Sequence, residues 1–262
     1  LFEAFIKLIA TAIDKKSEYT GGHCIRVPEI TMMLAEAVEK TKVGKYKDFS
    51  MNEDERYELY LAGWLHDCGK VATPVHVVDK ATKLETIYDR IENVQTRFEV
   101  IKRDAEIEFL KKKIDLIEQD NLQGLIELET KYKDKLAQFE DDLKFVEKSN
   151  VGGEFMEQDS QDRIKNIGKY KWNFKGKNEP FLSELEIRNL TIPKGTLLPE
   201  ERKIINDHIV ITIDMLEQLP YPKKLRNVPE FAGAHHETLD GKGYPKGLTG
   251  DQMSVQAKMM AI

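Results

Sequence analysis

Residues 66–70 read HDCGK, an imidazole, a carboxylate, a thiol and an ammonium within five positions. The chain has six histidines, and besides His66 they include His23, His208 and the adjacent pair His235 and His236. Neutral imidazole and carboxylate are the ligand types that hold zinc, iron, manganese and similar ions, and the lack of clustered cysteines argues against a structural zinc finger. Adjacent helical residues diverge by about 100°, so His66 and Asp67 are expected to serve two neighbouring ions rather than clamp one. Asp67 would bridge both, with His66 on one and the His235–His236 pair completing the other. Two ions about 3.5 to 4 Å apart are the arrangement that activates water and stabilises a leaving oxygen in phosphoester hydrolysis. Lys70, placed on the same expected helix face, would neutralise a phosphate oxygen. Arg26, three residues after His23, would do the same with a fork matched to phosphate.

Each of these residues alone has an ordinary reading. A helical histidine is more often a core or surface residue than a ligand, and a single lysine or arginine is usually a solvated charge. His76, in a loop near Pro74, is given that ordinary role; the other five histidines form a joint pattern. Cys68 is read as packing and not as a nucleophile, because its thiol lies on a different face from His66 and lacks a base in place. After the histidine pair comes ETLDGKGYPKGLTGDQM. Gly241, Gly243 and Gly247 permit close backbone approach, Pro245 fixes a turn, Tyr244 offers a stacking face, and Lys242 and Lys246 offer charge.

These side chains need elements to bring them together. The chain has 262 residues, 40% of them hydrophobic, enough for one sizeable core with an appendage. A formal net charge of −6 excludes a global grip on polymeric nucleic acid. Two cysteines do not make a disulfide framework and fit a reducing cytoplasm. No apolar run approaches the roughly 18 residues that span a bilayer. Residues 1–80 read as helices, with Phe2, Phe5, Ile6, Ile9 and Ile13 at helical spacing. Their abrupt start points to an upstream region. From residue 81 to about 150, Leu84, Ile87, Ile91, Val94, Phe98, Ile101 and Ala105 form one coiled-coil seam, and Leu125, Leu128, Tyr132, Leu136, Phe139, Leu143 and Val146 a second. A break near 120–124 predicts an antiparallel hairpin, read equally as a dimerisation arm or partner-docking surface, or as an insertion that packs only on itself. An irregular, glycine-rich connector follows, and LPEERKIINDHIVITIDMLEQL predicts a further helix. Strand signals are weak, so the fold is expected to be all-α, in three stretches: 1–80, an insertion with connector over 81–175, and a return to the first domain over 176–262.

Together YTGGHCIRV, HDCGK, INDHIVITIDML and HHETLDGKGYPKGL resemble the HD-GYP domain, a branch of the HD phosphohydrolase superfamily. The resemblance covers about 1–80 and 190–262; the coiled-coil insertion lies outside it. It implies a phosphodiesterase that opens cyclic di-GMP to linear pGpG and sometimes GMP. It also implies His23, His66, Asp67, His208, His235 and His236 as ligands of two divalent ions, iron or manganese before zinc, nickel or magnesium. Asp67 would bridge, Lys70 would contact phosphate, and the loop at Gly243, Tyr244 and Pro245, with Lys242, would border the pocket. The family pattern departs in three places. A further aspartate ligand and basic substrate residues would fall beyond Ile262, which puts the end of the domain outside this sequence. Tyr19 stands where three-metal members carry a glutamate. Thr238 stands where an arginine is frequent, which keeps cyclic GMP-AMP open as the substrate. The competing class is a degenerate module that binds a nucleotide, or a diguanylate cyclase partner, without hydrolysis. An upstream sensor is the expected source of regulation.

Overall fold

The computed structural model describes residues 2–16 and 22–262. Tyr19, and with it the first three residues of YTGGHCIRV, lie outside the described residues. In chain order the helices are α1 (Phe2–Asp14), α2 (His23–Lys40), α3 (Glu53–Leu65), a 3₁₀ helix (Cys68–Ala72), α4 (Val75–Val78), α5 (Ile91–Glu118), α6 (Leu122–Val151), α7 (Gln158–Gly168), α8 (Glu184–Leu190), α9 (Pro199–Asn206), α10 (His208–Glu217), a 3₁₀ turn (Lys223–Leu225), α11 (Val228–Gly233) and α12 (Val255–Met260). Two strands, β1 (Lys171–Phe174) and β2 (Lys177–Pro180), pair between α7 and α8. Among the described residues the fold is therefore all-α apart from this one hairpin.

The chain divides into two compact units, residues 1–79 with 199–262, and residues 80–198. In the first, Ile6, Ala10 and Ile13 of α1 pack in one core with Leu59, Leu61, Trp64 and Leu65 of α3 and Val228, Phe231 and Ala232 of α11. The spacing of those α1 residues is the helical one that burying a single face requires. At its start α3 is fixed by a capping box, Asn52 accepting from the Glu55 N–H while the Glu55 carboxylate accepts from the Asn52 N–H. Instead of the single helix expected from residue 199, the structure has two, broken at Asp207 immediately before His208.

The second unit is built on the α5–α6 hairpin. Val94, Phe98, Ile101 and Ala105 share a core with Phe139 and Val146, as the two seams predict. The first seam begins later than expected: α5 starts at Ile91, Leu84 is buried in the preceding loop, and Ile87 is 92% exposed. The expected irregular connector instead contains α7, the β-hairpin and α8. Lys175 and Gly176 turn that hairpin with φ of 52° and 76°, a turn chemistry carried by only two residues. Phe181, Leu182 and Leu190 join the hairpin core, with the Phe181 ring 4.7 Å from that of Phe98. Residues 176–198 consequently pack with the insertion, and the return to the first unit falls at Pro199 rather than near 176.

Candidate metal centre

Four chain segments deliver the site, and three use one device. His66 follows the end of α3, and its Nδ1 donates to the Gly63 carbonyl at 2.7 Å. His208 follows α9 and donates to Ile205 at 2.5 Å. His235 follows α11 and donates to Ala232 at 2.7 Å. A carbonyl oxygen only accepts, so each Nδ1 carries a proton and each Nε2 is turned inward. His23 opens α2 and presents its Nε2 from the opposite side.

All these nitrogens meet at Asp67, which is 2% exposed. Its Oδ2 lies 3.0 Å from His66 Nε2 and 3.2 Å from His23 Nε2, and those two nitrogens are 3.1 Å apart. Its Oδ1 lies 3.3 Å from His208 Nε2 and 3.7 Å from His235 Nε2. Two donor clusters result, His23–His66–Asp67 and His208–His235–His236, with ligand atoms in each within 4.8 Å of one another. Separations near 3 Å suit donors about 2.1 Å from one shared cation. The Nε2 atoms of His208 and His235 are buried without a hydrogen-bond partner, which is costly unless a proton or a cation compensates. The residues present therefore fit divalent metal.

The electrostatics agree. Burial raises the Asp67 carboxyl, but the imidazoles of His208, His23 and His66 outweigh it and hold the group well below the usual carboxylate range. Burial lowers His236 to about 4, helped by His208, and lowers His235 further. Both rings therefore favour the neutral, ligating form at neutral pH. Burial lifts the Cys68 thiol to about 11, so it stays protonated and unreactive. His76 is exposed on α4 and takes no part.

The local geometry at Asp67 differs from the helical expectation. His66 keeps the α conformation, but beyond it the backbone leaves it, Asp67 adopting φ −105° and ψ 10°, and a 3₁₀ helix follows. His66 and Asp67 therefore converge on one point instead of diverging. Residues three apart eclipse in a 3₁₀ helix, which sets Lys70 Nζ 2.7 Å from Asp67 Oδ2. Gly69 makes this possible: a Cβ there would lie 2.0 Å from the His208 carbonyl oxygen, and its N–H donates to Thr212 Oγ1 at 2.9 Å.

A cleft of about 440 Å³ opens on the cluster, lined by His23, His66, Asp67, Lys70, His235 and His236 and by apolar residues including Val27, Leu34 and Met260. None of Arg26, Lys242, Gly243, Tyr244 and Pro245 lines it. Arg26 is exposed, its guanidinium beside Gly22. Lys242 pairs with Asp240 at 3.1 Å and is exposed. Tyr244 stacks on the ring of His236, 4.7 Å between centroids and 14° from parallel, so the loop backs His236, which itself lines the cleft. The reason is Glu237, a buried carboxylate that accepts the N–H groups of Lys246 (2.7 Å) and Leu248 (2.8 Å) and folds the loop back. Gly243 must be glycine there, since a Cβ would sit 2.4 Å from Glu237 Cα. Sequence reasoning missed Glu237, although its place directly after the histidine pair was a signal. Thr212 carried none, its partner lying far away in sequence.

Comparison with known proteins gives two family matches, both to HD domains, over residues 20–148 and 185–262. The 3'3'-cGAMP-specific phosphodiesterase 3 of Vibrio cholerae is 32% identical over 80 residues, 30% of this chain and 17% of that protein. A cyclic di-GMP phosphodiesterase of Thermotoga maritima is 27% identical over 176 residues, 61% of this chain and 45% of that protein. A probable cyclic di-GMP phosphodiesterase of Vibrio cholerae is 35% identical over 79 residues, 28% and 18% of the two chains. The chain thus spans less than half the length of these curated relatives. No solved structure matches it. Among the described residues no helix is long and apolar enough to cross a membrane. The two matches take in both segments that meet at Asp67, and this chain belongs to the HD domain family.

Proposed function

We propose that this chain is a metal-dependent phosphodiesterase of the HD-GYP branch, acting in the cytoplasm on a cyclic dinucleotide, with cyclic di-GMP as the leading substrate and cyclic GMP-AMP as the alternative. The observation that carries this reading is the shared carboxylate: the two oxygens of Asp67 face two separate imidazole clusters. His23, His66 and Asp67 would hold one divalent ion, and His208, His235 and His236, again with Asp67, a second. Imidazole and carboxylate donors suit iron, manganese, zinc and nickel alike, and the resemblance to the HD-GYP branch puts iron or manganese before zinc, nickel or magnesium. Bound divalent ions supply Lewis acidity to a phosphoryl oxygen and lower the pKa of attacking water.

The chain's own residues do the rest. The three backbone carbonyls at Gly63, Ile205 and Ala232 lock ring orientation and tautomer, so the donor set is organised before any ligand arrives. Asp67 stays ionised and balances the positive charge. Lys70, with its side chain 26% exposed, stands at the cleft, where its ammonium can leave Asp67 for a non-bridging phosphate oxygen. The apolar walls supply a surface on which a base can stack. The names of the relatives support a cyclic dinucleotide as the substrate class. The outer part of the α5–α6 hairpin exposes Ile107, Leu110, Ile114, Ile117, Leu122 and Ile126, which supports self-association through that arm. An upstream sensor or a cyclase partner would supply the input.

The test is turnover by the manganese- or iron-loaded protein of cyclic di-GMP and cyclic GMP-AMP in parallel. Linear product from one of them, lost in Asp67→Ala, is expected. Nucleotide binding without turnover in the metal-loaded protein would make it a binding module and sink the enzymatic reading.

A further inference from the structure

The last turn of α1 reaches both segments that carry the first donor cluster. Asp14 is 5% exposed, and both its carboxylate oxygens accept the Cys24 N–H, at 3.3 and 3.2 Å. Helix α2 begins at His23 after Gly22, which has φ 78° and no side chain to cap the orphan N–H groups of the first turn. Asp14 supplies that cap from another helix, one residue from a proposed ligand. Two positions further on, Lys16 Nζ donates to the carbonyls of Lys70 (2.9 Å), Val71 (2.5 Å) and Thr73 (2.6 Å). An ammonium has three hydrogens, and here it meets three acceptors. These carbonyls form the C-terminal end of the 3₁₀ helix, where the dipole favours a cation, and the Lys70 carbonyl also accepts the Thr73 N–H at 3.1 Å.

We propose that Lys16 is a positioning residue for Lys70, and that with Asp14 it makes the end of α1 a brace for the segments bearing His23 and Asp67. The main chain of Lys70 is tied to α1 while its side chain points at Asp67 Oδ2. Release of the carbonyls frees the 3₁₀ helix to relax, and a displacement of about 1 Å at a reacting centre costs up to about 100-fold. The proposal rests on the reading of Lys70 as the phosphate contact.

The experiment is a double-mutant cycle in the full chain, manganese-loaded, with Lys16→Met, Lys70→Met and both together, plus Lys16→Arg. Lys16→Met is expected to lower kcat about 10- to 100-fold with manganese stoichiometry unchanged, and Lys16→Arg to recover most of that loss. In the Lys70→Met background Lys16→Met should cost less than about twofold, because the group it positions is gone. Amide exchange, which needs no turnover, should accelerate at Lys70 and Thr73 in Lys16→Met while α10 keeps its protection. An equal cost in both backgrounds, or unchanged exchange at those amides, overturns the brace. Should Lys16→Met fail to fold, Lys16→Gln is read by the same criteria. A wild-type chain that binds manganese yet turns over neither nucleotide overturns the phosphodiesterase reading instead, and the exchange rates alone then decide the brace.

Discussion

Both units bury charged and polar side chains, but they finish them differently. In the hairpin unit, Lys83 is 1% exposed and its Nζ donates to the carbonyls of Leu190 (3.1 Å) and Ile192 (2.8 Å). Arg97 grips Glu186 with two nitrogens at 2.9 and 2.7 Å. Asp142 accepts from Arg163 and from the Tyr170 hydroxyl at 2.6 Å. Among the described residues of that unit, Arg90 Nη2 is the one buried side-chain atom without a partner. In the first unit, two imidazole nitrogens from different chain segments face one carboxylate and end there unsatisfied. Closed networks specify a fold, whereas an open, convergent one costs stability unless something binds in it. Trp64 Nε1, Thr73 Oγ1 and the Tyr221 hydroxyl are also buried without a partner in the first unit, so what marks the site is the convergence of unsatisfied nitrogens on one carboxylate.

The sharpest way to break this contrast is to change one buried aspartate in each unit. Asp67→Asn is expected to reduce the metal content of the purified protein, and to cost more turnover than the roughly 10- to 100-fold typical of outer-shell partners. Asp142→Asn should leave metal content and turnover intact and lower stability by about 2 to 3 kcal/mol, since it weakens the pairing of Arg163 and the Tyr170 hydroxyl. Elemental analysis and denaturant midpoints on the two variants give both readings. If Asp142→Asn lost metal, or Asp67→Asn kept it, the distinction between open and closed networks would fail.

A second pair tests backbone closeness in the same two places. Gly69→Ala drives a methyl into the His208 carbonyl, separating the 3₁₀ helix from α10. It should cost about 3 kcal/mol and weaken manganese binding about 10- to 100-fold. Gly153→Ala in the hairpin unit meets nothing within 4 Å and should stay within about 0.5 kcal/mol of the parent. Calorimetric manganese titration beside thermal melts distinguishes them.

How much of this was legible in the sequence follows from the range over which each signal acts. The five clustered histidines and Asp67 were readable as candidates because residue types and adjacent pairs are local, and the hairpin because heptad spacing is local too. The convergence of His66 with Asp67 was not, since it depends on α3 ending at Leu65, and nothing in WLHDCGK breaks a helix except Gly69. The break before His208 carried no local signal either, and the Gly69 backbone that packs against the His208 carbonyl lies far away in sequence. The role of Tyr244 was misread because the fold of its loop is decided by Glu237, whose carboxylate reaches nine and eleven residues ahead. The position of residues 176–198 was misjudged because Phe181 and Leu190 find their partners on helices that lie far earlier in the chain.

The last expected effect concerns Lys83, and its sign follows from linkage. Burial lowers its ammonium from 10.5 to about 8, so between those values the unfolded chain holds a proton that the folded chain has released. Stability then rises with pH across that window, by up to about 1.4 kcal/mol per pH unit, and the penalty of the buried charge is fully present below it. Lys83→Met removes the titrating group, and the difference in denaturant midpoint between wild type and variant should change from pH 8 to pH 10 in favour of wild type. Metal content should be the same in both, because the Lys83 network is closed and belongs to the other unit. A difference in midpoint that stays constant over that range would mean that the Leu190 and Ile192 carbonyls offset the cost of burying the ammonium, so that burial does not lower its pKa.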